Sequence, residues 1–283
     1  VQPLVLDDNN IRPPVIAAGI NLFGGALGLI HKYVTGAIPI RREMRDPVYL
    51  ATLKAYVAEV LQRHDLLLYL EGGRSYSGEI KPFKTGLLQA AAQTRRSDVA
   101  IVPVAIGYDF VLEDFILARQ GVKRRQRPFA LEVAEMVRYA VGYQARAVVT
   151  FGSRIALSDF DLDSRRDVVQ LTRLIRKTIG QLYKVFPTAL VAAAMRPSIT
   201  RVDLEARIDR LIEILKAADA NLDVTTGLEA TEAATEPMVT RGILVIEGNR
   251  YRVRQRTVLK YYARTIEHLL KDRAGNSLMH EGS

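Results

Sequence analysis

The apolar residues of this chain follow two different patterns, and the change comes near residue 158. Before it, short continuous apolar runs alternate with stretches of helical period. Val15-Ile16-Ala17-Ala18 ending at Gly19, Ala37-Ile38-Pro39-Ile40, Leu66-Leu67-Leu68-Tyr69-Leu70, Ile101 to Ile106, and Ala147 to Phe151 stopped by Gly152 all have strand length. Such unbroken runs are typical of strands covered on both faces. Asp46-Pro47 opens a helix on which Leu50, Leu53, Val57, Val60 and Leu61 repeat at helical spacing, and a later helix carries Leu87, Leu88 and Ala90 to Ala92. A short apolar helix is expected near Leu27 to Tyr33. Pro39 cannot donate to a ladder, which favours an edge or strand end. The alternation predicts an α/β fold, a mostly parallel sheet flanked by helices.

After residue 158 the helices lengthen into a mainly helical C-terminal region. Ser164-x-x-Asp167 and Thr200-x-x-Asp203 read as capping boxes. The first precedes Leu171, Leu174, Ile175 and Leu182; the second precedes the stripe Leu204, Ile208, Leu211, Ile212 and Leu215. Residues 221–240 are polar and Thr-rich and are expected to form a loop. Ile243 to Ile246, the turn Glu247-Gly248-Asn249-Arg250, and Tyr251 to Val253 predict a β-hairpin, followed by a helix with Val258, Tyr262, Ile266 and Leu269. The expected division is an α/β domain over 1–158 and the helical region over 159–283.

Composition narrows this picture. Over 283 residues, 48% hydrophobic and 25% charged residues describe a globular chain. With no cysteine, disulfides and thiolate-bound metals are excluded and a reducing compartment is expected. The longest uncharged stretch, Val15 to Ile30, is too short and too glycine-rich for a spanning helix, and no signal peptide is visible. The first residue is Val1, so a fragment is expected. A net charge of +9 suits nucleic acid, an anionic membrane or a phosphorylated substrate, and equally a solvated basic surface.

The chemistry concentrates just beyond the Leu66–Leu70 run, in Glu71-Gly72-Gly73-Arg74-Ser75 with Lys84-Thr85-Gly86 downstream. Ligands of open α/β sheets bind at the carboxyl ends of strands. Glycines let backbone N–H groups approach a ligand, and arginine offers a bidentate fork to phosphate. Glu71 could orient Arg74 or a substrate hydroxyl. The same residues would also make a plain Gly-Gly turn with an internal Glu–Arg pair. Arg41-Arg42 follow another strand, where successive side chains point opposite ways, so one of the two faces a site. Pro103 interrupts an apolar strand ending in Gly107-Tyr108-Asp109, and alone reads as an edge-strand proline. The run Lys123-Arg124-Arg125-Gln126-Arg127 fits phosphates or headgroups, or a solvated loop.

Taken in order, Gly36 to Arg42, Glu71 to Ser75 with Lys84 to Gly86, and Val102 to Tyr108, together with Ala17 to Leu22, resemble the conserved blocks of the glycerol-3-phosphate acyltransferase family within the glycerolipid acyltransferases. The resemblance is dense over residues 13–110. It implies transfer of an acyl group from acyl-CoA or acyl carrier protein to the sn-1 hydroxyl of glycerol 3-phosphate, giving lysophosphatidate for phospholipid biosynthesis. It further implies that Arg41, Arg42, Gly73, Arg74 and Ser75 bind glycerol 3-phosphate, that Glu71 and Gly72 act in the catalytic turn, and that Pro103 lies near the acyl donor. No metal or other cofactor is implied.

The family's base is a His five residues before an Asp. None of His31, His64, His268 and His280 has that spacing, so the first block is expected to lie before Val1 and the 283 residues alone to have negligible activity. Anionic membrane is an expected partner, with peripheral attachment at the cytoplasmic face of the cell membrane, carried by the apolar stretch Leu22 to Tyr33 and the positive charge, although that stretch reads equally as a buried core helix. Alternatives are a dihydroxyacetone-phosphate or lysophosphatidate acyltransferase and an inactive homologue. The hairpin with Arg250, Arg252, Arg254 and Arg256 also allows a winged-helix-like nucleic-acid module, though a nucleic-acid partner is not expected.

Overall fold

A computed structural model of the chain describes residues 1–20, 37–41, 46–73, 75–92, 94, 96, 98–123 and 145–271. The predicted Leu27–Tyr33 helix and most of the basic run 123–127 lie outside them. Residues 1–74, 82–103 and 152–178 form one compact unit, and residues 75–81, 104–151 and 179–283 another. The chain therefore passes between the units more than once.

The first unit contains a parallel three-stranded sheet: β1 (Val15–Gly19) lies between β2 (Ile38–Ile40) and β3 (Leu66–Leu67). Pro39 sits on β2, at the sheet edge as its missing N–H requires. The α/β class is thus as read from the sequence. Asp46 caps the Pro47–Arg63 helix by accepting the Val48 N–H at 2.9 Å, with proline at the first helical position, where no hydrogen-bond partner is lost. This helix packs on the Gly86–Ala92 helix. Of its expected apolar stripe, Val57 is fully buried, joined by Ala58, whereas Leu50 is exposed.

Two predicted strands are shorter than expected. Only Leu66–Leu67 of the Leu66–Leu70 run is paired; Tyr69 and Leu70 turn their carbonyls to Gly72 and Lys84 instead. The run 101–106 is split at Pro103 into β4 (Ala100–Ile101) and β5 (Val104–Tyr108), because proline cannot continue a ladder. β4 pairs antiparallel with β7 (Ile155–Ala156), and β5 pairs antiparallel with β6 (Ala147–Phe151).

The second unit is built on helices. Thr200 caps the Arg201–Ala217 helix through the Asp203 N–H, and the whole predicted stripe from Leu204 to Leu215 is buried. Beside it lie the helices Pro187–Ala194 and Gly227–Thr240, and the Arg256–Thr265 helix packs on Pro187–Ala194. The hairpin forms as predicted from β9 (Leu244–Glu247) and β10 (Arg250–Val253). Gly248 takes φ +60° at its turn, and β8 (Ser198–Thr200) adds a third antiparallel strand.

The expected loop over 221–240 is overturned: Gly227–Thr240 is a helix. The Thr226 hydroxyl accepts the Glu229 N–H at 3.2 Å, and Glu229 accepts the Thr225 N–H at 2.8 Å, a reciprocal cap. Its buried face is made of Ala230, Thr231, Ala234, Thr235 and Met238. Small residues there permit close approach: a Cβ on Gly227 would lie 2.2 Å from the Glu205 carbonyl oxygen. Thr235 returns its hydroxyl to Thr231 O at 2.7 Å, so its polarity is spent inside the helix.

A buried polar cluster joins this core. The Asp114 carboxylate accepts from Arg241 at 2.8 Å and from the Tyr262 hydroxyl at 2.6 Å, and Tyr262 accepts the Val111 N–H at 3.0 Å. The Arg241 guanidinium stacks 5.5 Å from the Phe110 ring centre. Burial pushes the Asp114 carboxyl above the ordinary carboxylate range, against the lowering pull of Arg241 and Tyr262. Among the described residues no helix is long and apolar enough to cross a membrane.

Candidate active site

Because β1, β2 and β3 run parallel, their carboxyl ends share one edge of the sheet. Gly19 on β1 stands opposite Ile40 on β2, so Arg41 begins where that edge is reached. On the other side of β1, β3 ends at Leu67 and leads into the Glu71-Gly72-Gly73 turn. At ordinary strand spacing, β2 and β3 are about 10 Å apart across β1. β3 pairing ends opposite Ile16, three residues before Gly19, so Arg41 and the turn follow the two strands on either side of β1 toward the sheet edge at which parallel sheets take their ligands.

Each side has its own support. The Tyr49 hydroxyl, from the first turn of the Pro47–Arg63 helix, accepts the Arg41 N–H at 2.9 Å and fixes the end of β2, leaving Arg41 exposed. On the other side the Gly72 N–H closes a turn onto Tyr69 O at 2.9 Å, with Gly72 at φ +66°. That left-handed conformation favours glycine. The Lys84 N–H donates to Leu70 O at 2.8 Å, which sets the Lys84 backbone beside the turn. Glu71 is half-buried and engaged with neighbouring groups.

The remaining sequence-derived candidates divide. Ser75 is half-buried and gives its hydroxyl proton to Glu79 O at 2.7 Å, so a phosphate seeking that donor has to displace a bond already made. Pro103 is buried, and its carbonyl accepts the Gly152 N–H at 2.8 Å. Arg42 and Arg74 lie outside the described residues. Among the histidines, His64 is exposed at the end of the Pro47–Arg63 helix, and His268 contacts the Gly180 carbonyl at 3.0 Å through Nε2. The hairpin arginines are partly spent within their own sheet: Arg250 donates to Ser198 at 2.9 Å, and Arg252 pairs with Glu247 at 3.0 Å. Among the described residues no group of His, Asp or Glu could hold a metal ion.

Tyr49 was missed as a positioning residue. Nothing in its local sequence marks it, since its role comes from helix docking beside β2. Lys84 was read as part of the downstream block without a role, and its place over Gly72 emerges only from the fold.

Residues 2–107, the part of the chain that carries the parallel sheet and its edge, match the Acyltransferase family. Over 94% of its length the chain is 27% identical to the glycerol-3-phosphate acyltransferase of Aeromonas hydrophila, spanning 37% of that protein. It is also 28% identical, again over 94% of its length, to proteins of Mycobacterium bovis and Mycobacterium tuberculosis provisionally named acyltransferase plsB1, spanning 47% of each. The resemblance carried by the ordered motifs is shown by both kinds of match. The chain thus spans less than half the length of the curated relatives it matches.

Proposed function

We propose that this chain supplies the glycerol-phosphate-binding part of an enzyme that transfers an acyl group from acyl-CoA or acyl carrier protein to the sn-1 hydroxyl of glycerol 3-phosphate. The observation that supports the reading is the strand order β2-β1-β3, in which the strands leading to Arg41 and to the Glu71-Gly72-Gly73 turn lie on either side of β1. A phosphomonoester dianion there is met by guanidinium groups from two strand ends, and charge-assisted contacts of this kind are the strong ones. In this reading Glu71 orients Arg74 or an acceptor hydroxyl, Arg42 and Ser75 add donors, and Pro103 belongs to the acyl-donor side.

In the reaction, the acceptor oxygen attacks the thioester carbonyl, its proton passes to a general base, and the thiolate leaves with a proton as the ester forms. The chain's share is binding and orientation of the acceptor, which turns an encounter of two substrates into attack within one complex. The His-x-x-x-x-Asp spacing of the family's base does not occur in these 283 residues. No metal or redox group is needed for this chemistry. The net charge of +9 supports peripheral attachment to an anionic bilayer at the cytoplasmic face, tested by flotation with and without anionic lipid.

Acceptor competition tests the substrate assignment. With the enzyme as encoded, glycerol 3-phosphate is expected to outcompete dihydroxyacetone phosphate and lysophosphatidate, with lysophosphatidate as the product. Preferential acylation of either competitor would overturn it.

A further inference from the structure

We propose that Lys84 is a further phosphate-binding residue of this site, an inference that rests on the function proposed above. The Lys84 side chain runs over the α-carbon of Gly72. A Cβ placed on Gly72 would stand 2.9 Å from Lys84 Cδ, 3.1 Å from Cε and 3.3 Å from Nζ. The ammonium therefore ends at the turn that follows β3, one residue from Glu71 and Gly73. Two constraints hold it there. The Lys84 N–H is bonded to Leu70 O, and the absent side chain at Gly72 leaves the channel in which the lysine lies.

This gives Gly72 a second job. Its φ of +66° alone could be met by asparagine, which tolerates the left-handed region. A Cβ there would also meet the far end of the lysine side chain, which would have to shift to admit it. The ammonium also differs from the cations that the fold pairs with carboxylates. Arg96, Lys216, Arg241 and Lys271 each pair with a carboxylate, whereas among the described residues no ion pair engages Lys84, which is exposed. A cation held over a turn at a strand end, without a protein carboxylate, suits an incoming anion. Lysine supplies a point charge there, complementing the planar forks of the arginines.

The competing role is structural, with the lysine methylenes serving only to cover Gly72. Lys84→Met keeps that cover and removes the charge, and Lys84→Arg restores charge. In the enzyme as encoded, K84M is expected to raise the KM for glycerol 3-phosphate roughly tenfold or more, the loss expected for one charge-assisted contact. The KM for acyl-CoA and the melting temperature should stay near wild type, inhibition by inorganic phosphate should weaken in parallel, and K84R should recover much of the loss. A wild-type KM for glycerol 3-phosphate in K84M, with wild-type enzyme turning over normally, overturns the role of Lys84 alone. Absence of transfer to glycerol 3-phosphate in the wild-type enzyme overturns the acceptor assignment and this inference with it.

Discussion

The parallel-sheet unit and the helical unit bury their residues differently. In the first, the strands are largely half-buried. Alanines at 17, 58, 90 and 91 supply much of its core, with Leu171 and Ile175 among its few large, fully enclosed side chains. In the second, Phe110, Phe186, Leu190, Leu204, Ile208, Ile212, Leu215, Met238, Ile243 and Tyr262 are all fully enclosed. Except for Ser75, the described candidate residues sit in the unit with fewer large buried groups among the described residues, on turns whose backbone is set by single hydrogen bonds and one left-handed glycine. The second unit has the packing of a scaffold. Under the proposed function, the difference means that acceptor binding and stability should be separable by mutation in this chain.

The largest effect should come from the buried polar cluster. Asp114→Ala strands the Arg241 guanidinium without its carboxylate, and urea unfolding should show a loss of about 3–5 kcal/mol. Asp114→Asn keeps the acceptor and should lose much less. Next, Ile208→Ala empties a fully enclosed site and should cost about 2–5 kcal/mol. Val57→Ala in the first unit removes fewer methyl groups and should cost roughly 2 kcal/mol. A Val57 loss as large as that at Ile208 would break the contrast.

Alkaline titration gives a smaller effect, located in the second unit. Burial pushes Tyr183 up to about 12 and Tyr262 well above the ordinary tyrosine value, the latter also through Asp114. Their folded values lie above the unfolded one, so the stability they contribute is whole below about pH 10 and is lost as pH rises through the folded values. Tyr262→Phe should flatten that decline in a pH series of melting temperatures. Smallest of all, Arg252→Ala removes an exposed hairpin pair with Glu247 and should change stability by less than about 1 kcal/mol.

Legibility followed the physics of each element. The Arg201–Ala217 helix could be read completely, because its cap and large apolar stripe are both explicit in the residues. The Gly227–Thr240 helix could not, because its buried face is Ala, Thr and Gly, and threonine also marks loops. Pro103 was seen, but the division of one apolar run into two strands with different partners is a tertiary outcome. At the candidate site, the order of motifs pointed to Arg41 and the Glu71 turn. The convergence of both on one sheet edge needed the β2–β1–β3 register, and the places of Tyr49 and Lys84 depended on contacts between segments distant in sequence.

The central claim is that the two strand ends flanking β1 act on one phosphate. Steady-state kinetics of Arg41→Ala and Arg74→Ala in the enzyme as encoded test it most directly. Each variant should raise the KM for glycerol 3-phosphate roughly tenfold or more while leaving the KM for acyl-CoA near wild type. Wild-type values for glycerol 3-phosphate in both variants would contradict it.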